Sequence, residues 1–107
     1  MKAVLVPQVR NWQGNEMAKH LYIEGRVQGV GYRASFAALA NSLELAGWVR
    51  NRRDGSVEAV IDGPDEAMER LLTWAHQGPP AAKVTNLRVT DTGNDSLPSR
   101  LEIHPTV

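Results

Sequence analysis

The chain of 107 residues contains no cysteine. That excludes disulfides, thiolate metal centres and a cysteine nucleophile. It also lacks an excess of charge of either sign. Twelve lysines and arginines balance twelve aspartates and glutamates, so no global field gathers nucleic acid or an anionic membrane. Any specificity for anions has to be local. Histidines are few, and His20, His76 and His104 show no ligand spacing, so no metal site is expected. No apolar run approaches membrane-spanning length. Met1 to Pro7 carries a charge and a short apolar stretch, too short for a secretory signal and without a small-residue cleavage pattern. A cytoplasmic protein is expected, with no membrane partner.

What is present suits one modest globular domain. Its organising stretch is Gly25-Arg26-Val27-Gln28-Gly29-Val30-Gly31-Tyr32-Arg33, entered by a β-like run, His20 to Glu24, and left by a helical run from about Ala34 to Ala46. Glycines at positions 25, 29 and 31 free the backbone to turn successive N–H groups toward one point. The helix that follows adds unpaired N–H groups and the positive end of its dipole. Such a junction suits an anion, phosphate above all. Arg33 adds to this reading. A cation in a first helical turn opposes the dipole by a few tenths to about 1 kcal/mol, and an anion held between it and the loop reverses that sign. A guanidinium also grips phosphate through paired charge-assisted hydrogen bonds. The plainer alternative is a close-packed β–α turn with Arg33 exposed.

Along the chain, residues 1–16 lack periodicity and Met17 opens directly into the first strand. An N-terminal extension, flexible, is expected over 1–16 and the domain over 17–107; an arm docking through Val4, Leu5, Val6 and Trp12 is the competing idea. Phe36, Leu39, Ala40 and Leu43 form one apolar helical face, with Gly47 expected as its left-handed cap. Trp48–Arg52 and Ser56–Ile61 flank Asp54-Gly55, a hairpin signal. Pro64 suits the first position of a second helix whose stripe is Ala67, Leu71, Trp74 and Ala75, and Gly78-Pro79-Pro80 ends it. Val84–Thr90 alternates at period two, and a short strand lies around Leu101–Ile103. The order β-α-β-β-α-β with a short last strand predicts an α+β, ferredoxin-like split βαβ sandwich, an antiparallel sheet with two helices on one face. Fold of this kind hosts many functions, so function has to come from the site.

Asn51 is out of character in a strand, although a strand end beside a turn tolerates it. An asparagine there, brought near the loop by the crossover, could donate and accept at once, as positioning a water requires. Gly25-Arg-Val-Gln-Gly-Val-Gly-Tyr-Arg33 and Gly47-Trp-Val-Arg-Asn51-Arg-Arg-Asp-Gly-Ser-Val57 closely resemble the two signatures of the acylphosphatases. The resemblance runs from about Ala18 to Thr106. Tyr32 stands where phenylalanine is also common, and Leu101 and His104 where phenylalanine and arginine are frequent; residues 1–16 fall outside the family pattern.

The resemblance implies a metal-independent enzyme without cofactor. It implies Arg33 as the catalytic phosphate-binding arginine, Asn51 as the residue that orients the attacking water, and backbone amides of the Gly25, Arg26, Val27, Gln28, Gly29, Val30 and Gly31 loop as a phosphoryl cradle. The implied substrates are carboxyl phosphates such as acetyl phosphate or 1,3-bisphosphoglycerate, small molecules handled by a monomer. The rivals are a non-catalytic phosphate-binding module on the same cradle and a nucleic-acid binder. The second would want exposed strand aromatics and a basic stripe. Trp48 is expected in the core, and Arg50, Arg52 and Arg53 are expected as a solvated hairpin edge, so no nucleic-acid partner is expected. Ser35 and Ser42 have no histidine placed to activate them.

Overall fold

The computed structural model describes residues 18–93 and 96–107; the readings made for residues 1–16 lie outside them. The elements are β1 (Ala18–Arg26), α1 (Tyr32–Ser42), β2 (Ala46–Asn51), β3 (Val57–Asp62), α2 (Asp65–Ala75), β4 (Lys83–Thr92) and β5 (Glu102–Ile103). They form one sheet in the order β4-β1-β3-β2-β5. The expected ferredoxin-like sandwich is the fold observed. Its four long strands pair antiparallel, while β5 joins β2 in parallel, Val49 opposite Ile103, so the sheet is mixed at that edge.

Period-two patterning sorts the strands. Leu21 and Ile23 of β1, Val49 of β2, and Val57, Ala59 and Ile61 of β3 point into one core and are fully buried. The helices close that face with Phe36 and Ala40 of α1 and Met68, Leu71 and Ala75 of α2. Tyr32 sits between them. Its ring packs 5.2 Å from Trp74 and 6.2 Å from Phe36, and its hydroxyl donates to the Ala75 carbonyl at 2.8 Å. Burial drives the phenol far above its ordinary pKa, so it stays neutral and its one donor is spent on the end of α2.

Three local expectations are corrected. First, α1 stops at Ser42, not Ala46, and the left-handed residue beyond it is Glu44 (φ 60°). Gly47 lies within β2 at φ 130°, where any Cβ would stand 1.8 Å from the Val60 carbonyl oxygen; it is required by strand packing and is not a helix cap. Second, Pro64 is the N-cap of α2 and Asp65 begins the helix. Third, Trp48 is outside the core. Val49 takes the inward position, so Trp48 faces the open side of the sheet, stacked 5.6 Å from His104 with Arg50 4.5 Å above its ring.

Candidate active site

The glycine loop begins later than its sequence suggests. Gly25 and Arg26 are still strand, opposite Val84 and Lys83, beyond a register shift at Glu24. The free loop is therefore Val27 to Gly31. Gly29 and Gly31 hold φ of 74° and 83°, with nothing within 4 Å of where a side chain would stand. Only glycine adopts this geometry without strain while leaving the backbone amides uncovered. Gly31 caps α1, and the first helical hydrogen bond is Ser35 N–H to the Gly31 carbonyl at 3.0 Å. The N–H groups ahead of Ser35 have no partner inside the helix.

Arg33 stands in that first turn, which holds no acidic residue. Among the described residues no ion pair or hydrogen bond engages its guanidinium. It lines a cavity of about 210 Å³ with Val27, Gln28, Gly29, Gly31, Tyr32, Ala34, Asn51 and Ile103. The structure thus brings Arg33, Asn51 and the glycine loop around one space. Val30 packs partly buried against the core, while Gly25 and Arg26 do not line the cavity.

Asn51 closes β2, and its carbonyl Oδ1 is buried without a hydrogen-bond partner. A buried acceptor left unpaired costs about 1–3 kcal/mol. A donor arriving in the cavity removes that cost. The backbone behind Asn51 is fixed by its pairing with Val57 and by Val107 N–H donating to its carbonyl at 3.2 Å. The chain segment after β5 therefore braces the strand that carries it.

Two residues that sequence reasoning assigned otherwise hold the site together. From the sequence Gln28 is expected only as a source of a backbone amide. Its side-chain Nε2 donates to the carbonyls of Arg52 at 2.7 Å and Ser56 at 2.8 Å, tying the loop to the hairpin next to Asn51. A glutamine in a loop of small residues is the signal that marks it. Glu58 lies within the Ser56–Ile61 run, where the sequence gives it no role of its own. Its carboxylate, largely buried on the open face, accepts from His20 at 2.7 Å, Arg50 at 3.0 Å and Arg52 at 2.9 Å. Burial alone would raise its pKa, but those donors together hold it below the usual glutamate value. Arg50 and Arg52 flank Asn51, so Glu58 fixes that stretch from the opposite face. They are paired cations, where a solvated edge was expected. Among the described residues no three metal-ligating side chains converge.

A split βαβ sandwich whose uncovered amide loop shares a cavity with an unpaired arginine and an unpaired amide oxygen defines a class: a phosphate-handling domain built on a ferredoxin-like fold. The family profile described as Acylphosphatase matches residues 19–103. The chain is 52% identical over 85 residues to Acylphosphatase 2 of Ralstonia nicotianae, covering 79% of this chain and 90% of that protein. It is 59% identical over 70 residues to an acylphosphatase of Thermococcus kodakarensis, covering 65% and 77%. The crystal structure of acylphosphatase from Bacillus subtilis superposes with a TM-score of 0.78 at 36% identity, covering 83% of this chain and 99% of that one. The chain belongs to the acylphosphatase family. No described helix is long and apolar enough to cross a membrane.

Proposed function

We propose that this chain hydrolyses the carboxyl–phosphate bond of small acyl phosphates, with Arg33 holding the phosphoryl group and Asn51 the attacking water. The observation that carries the reading is the buried, unpaired Asn51 Oδ1 on the same cavity as the unpaired Arg33 guanidinium. A water donating one O–H to Oδ1 has a lone pair free to aim at phosphorus. Arg33 and the amides of Val27 to Gly31 meet the charge on the equatorial oxygens of a loose transition state.

Water oxygen forms the new P–O bond as the bond from phosphorus to the acyl oxygen breaks. The electron pair leaves on the carboxylate, and a water proton passes to solvent. A carboxylate leaves readily without a general acid, so positioning and positive charge suffice. No step needs a metal or a covalent intermediate. Every group invoked comes from one chain, in keeping with a monomer, and a cysteine-free chain suits the cytoplasm.

The test is hydrolysis of benzoyl phosphate by the purified protein, followed in the ultraviolet with and without EDTA. Turnover unaffected by EDTA and inhibited competitively by inorganic phosphate is expected. Phosphate binding without turnover would instead make the domain a non-catalytic anion-binding module.

A further inference from the structure

The cavity has an apolar wall for which phosphate binding and water attack have no use. Of its apolar lining residues, Val27 and Tyr32 are buried in the core, which leaves Ala34 and Ile103 facing the space. Ile103 is 49% exposed, the most exposed large hydrophobic among the described residues. It is also held in place. Asn41 accepts from Leu101 N–H at 2.8 Å and donates to the Leu101 carbonyl at 3.2 Å, and His104 N–H donates to the Val49 carbonyl at 2.9 Å. Pairing with Val49 puts Ile103 on the face that Val49 and Asn51 share. A fixed, exposed isoleucine beside the water-positioning residue is a surface for something apolar.

We infer that Ile103, with Ala34, seats the acyl group, and that the favoured substrates are acyl phosphates with an aryl or branched hydrocarbon acyl part. This rests on the proposed hydrolysis and adds the substrate class. The charge of the cavity agrees. Among the described residues Arg33 is the only cation that lines it, and the phosphoryl group occupies it. A second phosphate on the acyl part would find no counter-charge, whereas a hydrocarbon would cover Ile103 and release water from it.

The experiment compares kcat/KM for benzoyl phosphate and acetyl phosphate in wild type, Ile103→Ser and Ile103→Leu. The ratio of the two cancels any general loss of activity. Ile103→Ser is expected to lower the benzoyl-to-acetyl ratio about ten-fold, and Ile103→Leu to hold it within about two-fold of wild type. A ratio unmoved by Ile103→Ser, with both substrates still hydrolysed, overturns the inference and leaves the hydrolysis standing. Equal loss on both substrates does the same, since it marks Ile103 as structural. A wild type that hydrolyses neither overturns both.

Discussion

The two sides of this small sheet treat their charges in opposite ways. On the open face, Glu58 collects His20, Arg50 and Arg52, and Asp54 accepts from Tyr22 and Ser56. At the loop end, Arg33 has no partner among the described residues and Asn51 Oδ1 is buried and unmatched. Chemistry of the residues alone does not separate them, since arginines stand on both sides. Satisfaction does. Carboxylates that collect donors, as Glu58 does, fix backbone even though Arg52 Nε is itself buried without a hydrogen bond, whereas groups left unpaired on the cavity at a thermodynamic cost await a ligand. The paired face also serves the unpaired end, because Arg50 and Arg52, both tied to Glu58, flank Asn51.

Substitutions that break this contrast should divide into losses of activity and losses of stability. The largest effect is expected from Arg33→Ala, about three orders of magnitude in kcat/KM or more, with inhibition by phosphate lost as well. Its thermal midpoint should hold or rise slightly, because a cation leaves the positive end of α1. Steady-state kinetics beside a melting curve checks both. Gln28→Ala removes two hydrogen bonds that tie the loop to the hairpin. Phosphate inhibition should weaken about ten-fold, equivalent to about 1.4 kcal/mol, read from competitive inhibition.

Glu58→Gln lies on the other side of the contrast. It should cost about 1–2 kcal/mol of stability in urea titration, with turnover reduced by no more than about ten-fold, since the loop groups keep their places. Smallest is the acid dependence of Asp54. Hydrogen bonds from the Ser56 side chain, Tyr22 and the Ser56 amide hold its pKa at about 2, below the ordinary 3.8. A carboxylate depressed in the folded state contributes stability that is complete above the unfolded value and is lost as pH falls through the folded one. Asp54→Asn should therefore flatten the decline in urea midpoint between about pH 4 and pH 2. An unchanged slope there would show that the Asp54 contacts contribute nothing.

Much of the fold was legible because patterning at period two and 3.6 survives into the structure. The glycine loop, Arg33 and Asn51 were legible from residue types out of place: a cation at a helix start, an amide in a strand. The rest depended on relations between distant segments. Trp48 reads as core by size, and only the inward turn of Val49 puts it outside. Gly47 reads as a cap because the crowding that requires it comes from Val60, across the sheet. Gly25 and Arg26 read as loop because their pairing partners, Val84 and Lys83, lie nearly sixty residues on. A glutamine among glycines and valines marks Gln28 without showing that it staples the loop to the hairpin, and Glu58 carries no local anomaly to reveal that it fixes the strand beside Asn51.

If groups left unpaired in the free protein are the ones that act on the substrate, removing one should cost turnover and spare stability. Asn51→Ala tests it most directly, with kcat, the phosphate inhibition constant and the urea midpoint measured on one preparation. A fall in kcat of about two to three orders of magnitude is expected, with phosphate inhibition within about two-fold of wild type and stability unchanged or higher, since a buried orphan acceptor is gone. Loss of phosphate inhibition together with turnover would contradict it: Asn51 would then hold the anion, and the water would be placed by some other group.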